Sequence, residues 1–385
     1  MRKICIIVSS PFTLEVFLLA QIRALSERYE VTVIVNTSNA NLLEELKVTA
    51  KLLPVLLERR IHPWRDLRAL VTLFRIFRRH EFDLVHSVTP KAGLLSMTAA
   101  FGARIPVRLH TFTGQVWGTQ AGLSRLVLKL ADRVTALFAT DILVDSASQR
   151  DFIVKEKVLP RHKAHVLSHG SISGVNVVRF RPDPSLSRTM RQYLGIPPDA
   201  FVVLYMARLT RDKGALVMAE GFAAFGSQDN RAHLIVVGPD EELLRPAMRR
   251  LCASCLERVH FVDVVDDPEN YMACADVFCL PSYREGFGSA LINAAAVGIP
   301  AIASDIYGSS DAVADGVTGF LFPAGDSARL AELLARLARS PEFRLRLGQQ
   351  ARERAVRDFA EELLTAALLQ FYRERLPVAE VGPSP

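Results

Sequence analysis

The sequence predicts an α/β protein of two doubly wound domains, each a parallel sheet covered by helices on both faces. Three observations lead there. Near-continuous Val, Ile and Leu runs alternate with helical patterns along the chain, as strands buried on both faces require. The alternation lapses around Arg179-Phe180-Arg181-Pro182-Asp183-Pro184 and restarts near residue 200. A length of 385 residues exceeds one ordinary core and suits two domains of roughly 170 to 200 residues each.

Taken in order, the first half offers strands at 4–8, 31–35, 83–87, 107–112 and 142–146, and helices at 14–29, 64–80 and 123–138. The second offers strands at 201–207, 233–238, 259–262, 277–281 and 301–304, with helical stretches between them, 245–258 among them. The expected domains are 1–178 and 179–354, followed by a helix at 355–376 and a disordered tail at 377–385. Ligands of open parallel sheets sit at the carboxyl ends of the strands. Two such domains facing each other would line one cleft with both sets of ends, which suits a reaction joining two large substrates.

Half the residues are apolar and 23% are charged, which excludes a disordered or fibrous chain. A membrane span needs about 18 apolar residues; the best stretch, 92–103, is cut off by Lys91 and Arg104. Residues 1–9 read as a first strand and not as a signal peptide, so a cytoplasmic protein is expected. The formal charge of +6 hides an asymmetry. Residues 1–200 carry 28 Lys and Arg against 16 Asp and Glu, and the remainder 19 against 25, so one half should face an anionic partner. Five cysteines, including Cys252-x-x-Cys255, have no framework spacing and no companion pair. Reduced thiols are expected, not a zinc or redox centre.

The densest chemistry lies in Pro281-Ser282-Tyr283-Arg284-Glu285-Gly286-Phe287-Gly288-Ser289-Ala290-Leu291-Ile292-Asn293-Ala294. A buried strand ends at Pro281 and a small apolar helix begins near Ser289. Free N–H groups at a helix start attract anions, and glycines admit a phosphate or sugar closely. Glu285 at that mouth can accept hydrogen bonds from sugar hydroxyls. The same residues also make an ordinary strand-to-helix turn. The second element is Met206-Ala207-Arg208-Leu209-Thr210-Arg211-Asp212-Lys213-Gly214. Its Arg208 and Lys213 form either a cationic clamp for a diphosphate or a solvated charge cluster. No Asp-x-Asp pair occurs, so protein cations and not a metal would meet the leaving group.

In this order the two elements resemble the retaining family 4 glycosyltransferases of GT-B fold. The resemblance extends through residues 275–282, 298–304 and 316–321. Three stretches of the first half are similar to a subgroup acting on lipid-linked saccharides in bacterial polysaccharide assembly: residues 85–93, 110–115 and 170–176. It implies a UDP-sugar donor, a lipid-diphosphate-linked saccharide acceptor, and a hexose or N-acetylhexosamine transferred with retention, without cofactor or metal. It implies that Arg208 and Lys213 neutralise the diphosphate, that Glu285 contacts donor-sugar hydroxyls, and that Gly286, Phe287, Gly288 and Ser289 surround sugar and phosphate. Val264 would hold the base through its main chain. His110 would stand near donor sugar and acceptor, with a purely structural histidine as the other reading, and Lys91 and Thr113 on the acceptor side. The final helix, with Phe359 and Tyr372, looks like the family's terminal helix that returns to the first domain.

Two departures stand out. Asn293 occupies the second position of the family's Glu-x7-Glu pattern, where a Glu commonly binds ribose. The loop Ser9-Ser10-Pro11-Phe12-Thr13 lacks the paired glycines that approach the donor diphosphate. A UDP-sugar 2-epimerase-like isomerase and a non-catalytic sugar-nucleotide-binding protein therefore stay open beside transfer. On 64–80, Leu67, Leu70, Val71, Phe74 and Phe77 form one face at helical spacing, and Arg65, Arg68, Arg75 and Arg79 another. Either the helix packs on its sheet with a solvated Arg face, or the arginines dock on anionic lipid at the inner face of the plasma membrane. No aromatic-basic module or helix-turn-helix points to nucleic acid.

Overall fold

The computed structural model describes residues 1–58 and 61–376; the expected tail at 377–385 lies outside the described residues. The described residues form two compact units, Met1–Ser173 joined by residues 361–376, and Gly174–Ala360.

The first unit holds a seven-stranded sheet of β1 (Lys3–Val8), β2 (Glu30–Val35), β3 (Lys51–Pro54), β4 (Leu84–Val88), β5 (Val107–Phe112), β6 (Asp141–Val144) and β7 (Ala164–Val166), in the order 3-2-1-4-5-6-7. All its pairings are parallel, with Ile4 opposite Val31 on one side and Leu84 on the other. The strand succession therefore reverses between β1 and β4. On one face Leu73, Phe77, Ala99 and Ala136 of three helices, Pro63–His80, Pro90–Gly102 and Gly122–Phe138, join Val85, Phe112 and Val144 in a core. On the other, Ile22 and Leu25 of Leu19–Ser26 and Leu368 and Tyr372 of Glu361–Arg375 pack on β1 and β2.

The second unit repeats the plan with six parallel strands: β8 (Phe201–Met206), β9 (Ala232–Val237), β10 (Val259–Val262), β11 (Val277–Leu280), β12 (Ala301–Ser304) and β13 (Gly319–Phe322). The order 10-9-8-11-12-13 puts its reversal between β8 and β11. Two cores flank the sheet, one around Leu204, Phe278 and Ile292, the other around Tyr205, Phe222 and Leu334.

Each expected strand is present within two residues at either end. Three further strands were not among those expected from sequence: β3, β7 and β13. All lie at sheet edges, where one side stays unpaired and polar residues such as Lys51 and His165 are tolerated. Three helices differ from expectation. The stretch 14–29 opens with a π-helical segment, Leu14–Leu18, and its α-helix runs only over Leu19–Ser26. The stretch 245–258 is helical only at Arg245–Leu251; a 3₁₀ segment follows, in which Cys255 leaves helical geometry at φ −142°. The expected final helix at 355–376 is two helices, Pro341–Phe359 and Glu361–Arg375, broken where Ala360 takes ψ 139°. Phe359 belongs to the second unit, against Phe287, and Tyr372 to the first. The five cysteines are buried and free.

Candidate active site

The residues of the two motifs meet at the reversal point of the second sheet. β8 ends at Met206 and β11 at Leu280, and both following loops rise from the carboxyl edge, where a crevice forms in sheets of this topology. Lys213 Nζ donates to Glu285 Oε1 at 2.7 Å. Ser282 Oγ donates to the same oxygen at 2.8 Å. The carboxylate is thus oriented from both loops, and its side chain is only 10% exposed. A second pair runs parallel to the first: Arg284 donates to Asp212 at 2.8 Å, and the Tyr283 N–H donates to the Asp212 carbonyl. The Arg284 guanidinium and the Thr210 hydroxyl hold the Asp212 carboxyl below its usual range against the opposing effect of burial. Tyr205, buried beneath, donates its hydroxyl to the Lys213 carbonyl at 3.2 Å.

Close backbone approach depends on two glycines. Gly214 has φ +72°, and a Cβ there would lie 1.9 Å from the Pro281 carbonyl oxygen. Gly308 has φ +86°, and its Cβ would meet the Gly286 carbonyl at 2.6 Å. Only residues without side chains let these loops close on each other. Gly288 caps the helix Ser289–Val297, whose first N–H groups face the loop. Phe287 points into the core, 2% exposed.

Arg208, Val264 and Asn293 make no side-chain bond to the pair among the described residues. Arg208 is held by Glu241 at 2.7 Å rather than joining Lys213. Val264 follows β10 and is 62% exposed. Asn293 is half-buried on Ser289–Val297 and has no side-chain hydrogen bond among the described residues. Asp212, Ser282 and Arg284 were not singled out from sequence, although all three sit inside the quoted motifs. Asp212 and Arg284 are 72 residues apart in the chain, a pairing that spacing alone does not reveal, whereas Ser282 reaches Glu285 only three residues on.

In the first unit His110 ends up fully buried on β5. Its Nδ1 is 2.9 Å from Ser87 Oγ, and its buried Nε2 has no partner among the described residues. Burial lowers its pKa to about 3, so the ring is neutral at physiological pH. Gly93 makes the room: a Cβ there would stand 2.3 Å from the imidazole. The neighbouring His86, absent from the sequence expectations, bridges Tyr372 Oη at 2.6 Å and Thr111 Oγ1 at 2.7 Å. It ties the last helix to the sheet and is likewise pushed to about 3 by burial. Thr113 follows β5 and is half-buried; Lys91 pairs with Asp66 at 2.6 Å. At the reversal point of this sheet Ser9 Oγ meets Thr89 Oγ1 at 3.0 Å, and Thr89 carries φ +78°. No cluster of three or more His, Cys, Asp or Glu side chains is placed to hold a metal ion among the described residues.

Two family models match the chain in succession, Glycosyltransferase Family 4 over residues 14–171 and Glycosyl transferases group 1 over residues 187–354. The capsular polysaccharide biosynthesis glycosyltransferase CapM of Staphylococcus aureus is 30% identical over 84% of this chain and 85% of its own. This chain belongs to the family 4 glycosyltransferases. A second relative of the glycosyltransferase, 26% identical over 68% of both chains, is an Escherichia coli enzyme named UDP-Gal:alpha-D-GlcNAc-diphosphoundecaprenol alpha-1,3-galactosyltransferase. Among solved structures, HepE of Anabaena in complex with UDP and glucose superposes with a TM-score of 0.82 at 20% identity, covering 97% of this chain and all of that one. The fold is accordingly GT-B. In the glycosyltransferase the helix Pro63–His80 buries Ala69, Leu73 and Phe77, whereas Leu67, Val71 and Phe74 of the expected apolar face are exposed. Arg65 is paired with Glu58, while Arg68, Arg75 and Arg79 make no ion pair among the described residues. No described helix is long and apolar enough to cross a membrane.

Proposed function

We propose that this glycosyltransferase moves a hexosyl or N-acetylhexosaminyl residue from a UDP-sugar to a lipid-diphosphate-linked saccharide in surface polysaccharide assembly, whether O-antigen, capsule or exopolysaccharide. The observation that carries the reading is the Lys213–Glu285 pair across the reversal point of the second sheet. A cation suited to a diphosphate and a carboxylate suited to sugar hydroxyls sit 2.7 Å apart there, so a nucleotide sugar can engage both at its phosphate–sugar junction. The UDP and glucose held by HepE and the substrate named for the Escherichia coli relative support the choice of donor and acceptor.

Transfer proceeds with retention. The acceptor hydroxyl forms its bond to the anomeric carbon on the face from which UDP departs, and its proton passes to the departing phosphate oxygen. No covalent enzyme intermediate and no metal are required. Negative charge developing on the diphosphate is met by Lys213, by Arg208 once it turns from Glu241, and by the N–H groups that open Ser289–Val297. Glu285 accepts hydrogen bonds from the sugar, Gly286 and Gly288 let it approach, the main chain at Val264 holds the base, and Asn293 contacts the ribose. His110, kept neutral by burial, serves the sugar and acceptor side with Lys91 and Thr113. The protein works as a peripheral protein at the inner face of the plasma membrane, with Arg68, Arg75 and Arg79 toward anionic lipid.

A nucleotide-release assay with and without a lipid-linked acceptor tests the reading. UDP released mainly with acceptor, and undiminished by a strong chelator, is the expected result. Epimerisation of the UDP-sugar alone, or no turnover with any UDP-sugar of a broad panel, overturns transfer. Activity lost in chelator and restored by a divalent ion overturns metal independence.

A further inference from the structure

We propose that the helix Gly122–Phe138 is the element that enters the lipid: it seats an apolar ridge in the interfacial layer of an anionic bilayer, beside the arginines of Pro63–His80. The inference rests on the membrane-surface reading above and adds the part that inserts. On this helix Leu123, Leu126, Val127, Leu130 and Leu137 are exposed by 75, 59, 52, 56 and 71%. At 100° per residue all five fall on one stripe, while the buried side is Asp132, Thr135 and Ala136. One exposed leucine needs no explanation, but a stripe of five on a single helix marks a covered surface.

Charge selects the occupant. The helix carries one acid, Asp132, buried and accepting the Trp117 indole N–H at 2.7 Å; its other charges are Arg125, Lys129 and Arg133. Nearby acids are already satisfied by cations, Glu156 by Arg125 and Lys129, and Asp66 by Lys91. Pro90–Gly102 packs between the two outer helices and continues the apolar surface. Its Phe101 is 52% exposed and stacks on Phe138 at 4.7 Å, and the Phe74 ring lies beside Gly102. Beyond it stand Trp64, 80% exposed, and the exposed Arg68, Arg75, Arg78 and Arg79. An apolar ridge with an aromatic edge and a rim of unpaired cations matches the boundary between acyl chains and anionic headgroups.

All native cysteines are buried, so Leu130→Cys directs an environment-sensitive fluorophore to the ridge of the full chain. Its emission should move to shorter wavelength with phosphatidylglycerol-containing vesicles and be quenched by lipid-borne quencher. Leu126→Ser with Leu130→Ser should weaken vesicle binding by at least about tenfold, including at high salt, with the melting temperature unchanged. Arg68→Gln, Arg75→Gln and Arg79→Gln together should weaken it chiefly at low salt. Sedimentation with anionic vesicles but no emission change overturns the ridge and leaves the arginine surface standing. No association with any vesicle overturns both. An emission change that depends on protein concentration without vesicles overturns it in favour of a second copy of the chain.

Discussion

Arg208 and Lys213 are held differently before any substrate arrives. Lys213 already lies against Glu285 within the loops, with its side chain 19% exposed, whereas Arg208 is paired with the more exposed Glu241. Replacing either by Ala removes a charge-assisted bond worth about 1.5–3 kcal/mol, or roughly 10- to 150-fold in rate if it acts in the transition state. Turnover at saturating donor should fall at least about tenfold in each variant with unchanged melting; near-normal turnover in both would remove them from the diphosphate site. Asn293 invites the opposite change. It offers one carbonyl acceptor and an NH2 donor, uncharged, where a carboxylate could accept from both ribose hydroxyls. Asn293→Glu should tighten UDP binding by about fivefold, on the order of 1 kcal/mol, as read by calorimetric titration. Weaker binding together with a lower melting temperature would mean that the half-buried site cannot solvate a second carboxylate.

The loop from β8 to the following helix owes its course to Gly214. Two glycines of the second unit share nearly the same backbone, Gly214 at φ +72° and Gly195 at φ +66°. They differ in space: a Cβ at Gly195 meets nothing within 4 Å, and at Gly214 it meets the Pro281 carbonyl. Gly195→Ala should therefore cost only the left-handed conformation, about 1 kcal/mol. Gly214→Ala must also push apart the loops that carry Lys213 and Glu285, and should cost at least about 1 kcal/mol more. It should weaken UDP binding as well. Chemical denaturation of the two variants gives the comparison; equal losses would show that the loops are not in contact where the donor is proposed to bind.

Buried ionisable groups of the first unit give the molecule's stability a pH dependence with two opposed parts. Asp145, just beyond β6, is buried, its Oδ1 lacks a partner among the described residues, and burial raises its pKa to about 8. A cavity of about 20 Å³ lined by Asp145, His86, Thr111 and Gln21 adjoins it, room for a single water. Between the unfolded value near 3.8 and about 8 the folded state binds the extra proton. Its contribution is therefore complete at low pH and is lost as pH rises through that window. His86 and His110 act the other way. Their folded values lie below the unfolded one, so the unfolded state binds more protons and stability falls as pH drops from about 6.5 toward 3. Asp145→Asn should remove the first part alone. Melting curves from pH 5 to 8 should show the wild type losing stability relative to this variant; parallel curves would place an ionised carboxylate in the cavity.

Period and composition were enough to read two doubly wound domains, because strands covered on both faces must be apolar along their whole length. Edge strands such as Lys51–Pro54 escaped the same reading, since one open side relaxes that demand. Lys213, Glu285 and the glycines that follow Glu285 could be read from sequence as clusters at two strand ends, and the structure brings Lys213 and Glu285 to 2.7 Å. What sequence could not contain is pairing across distance. The Glu241 partner of Arg208, the Lys213 bond to Glu285, and the His86 link to Tyr372 join residues that the chain brings together only after the sheets form. The same holds for the ridge on Gly122–Phe138. A helical apolar stripe announces that something covers it, but whether that cover is the sheet beneath or a surface outside depends on how many faces the neighbouring helices leave open.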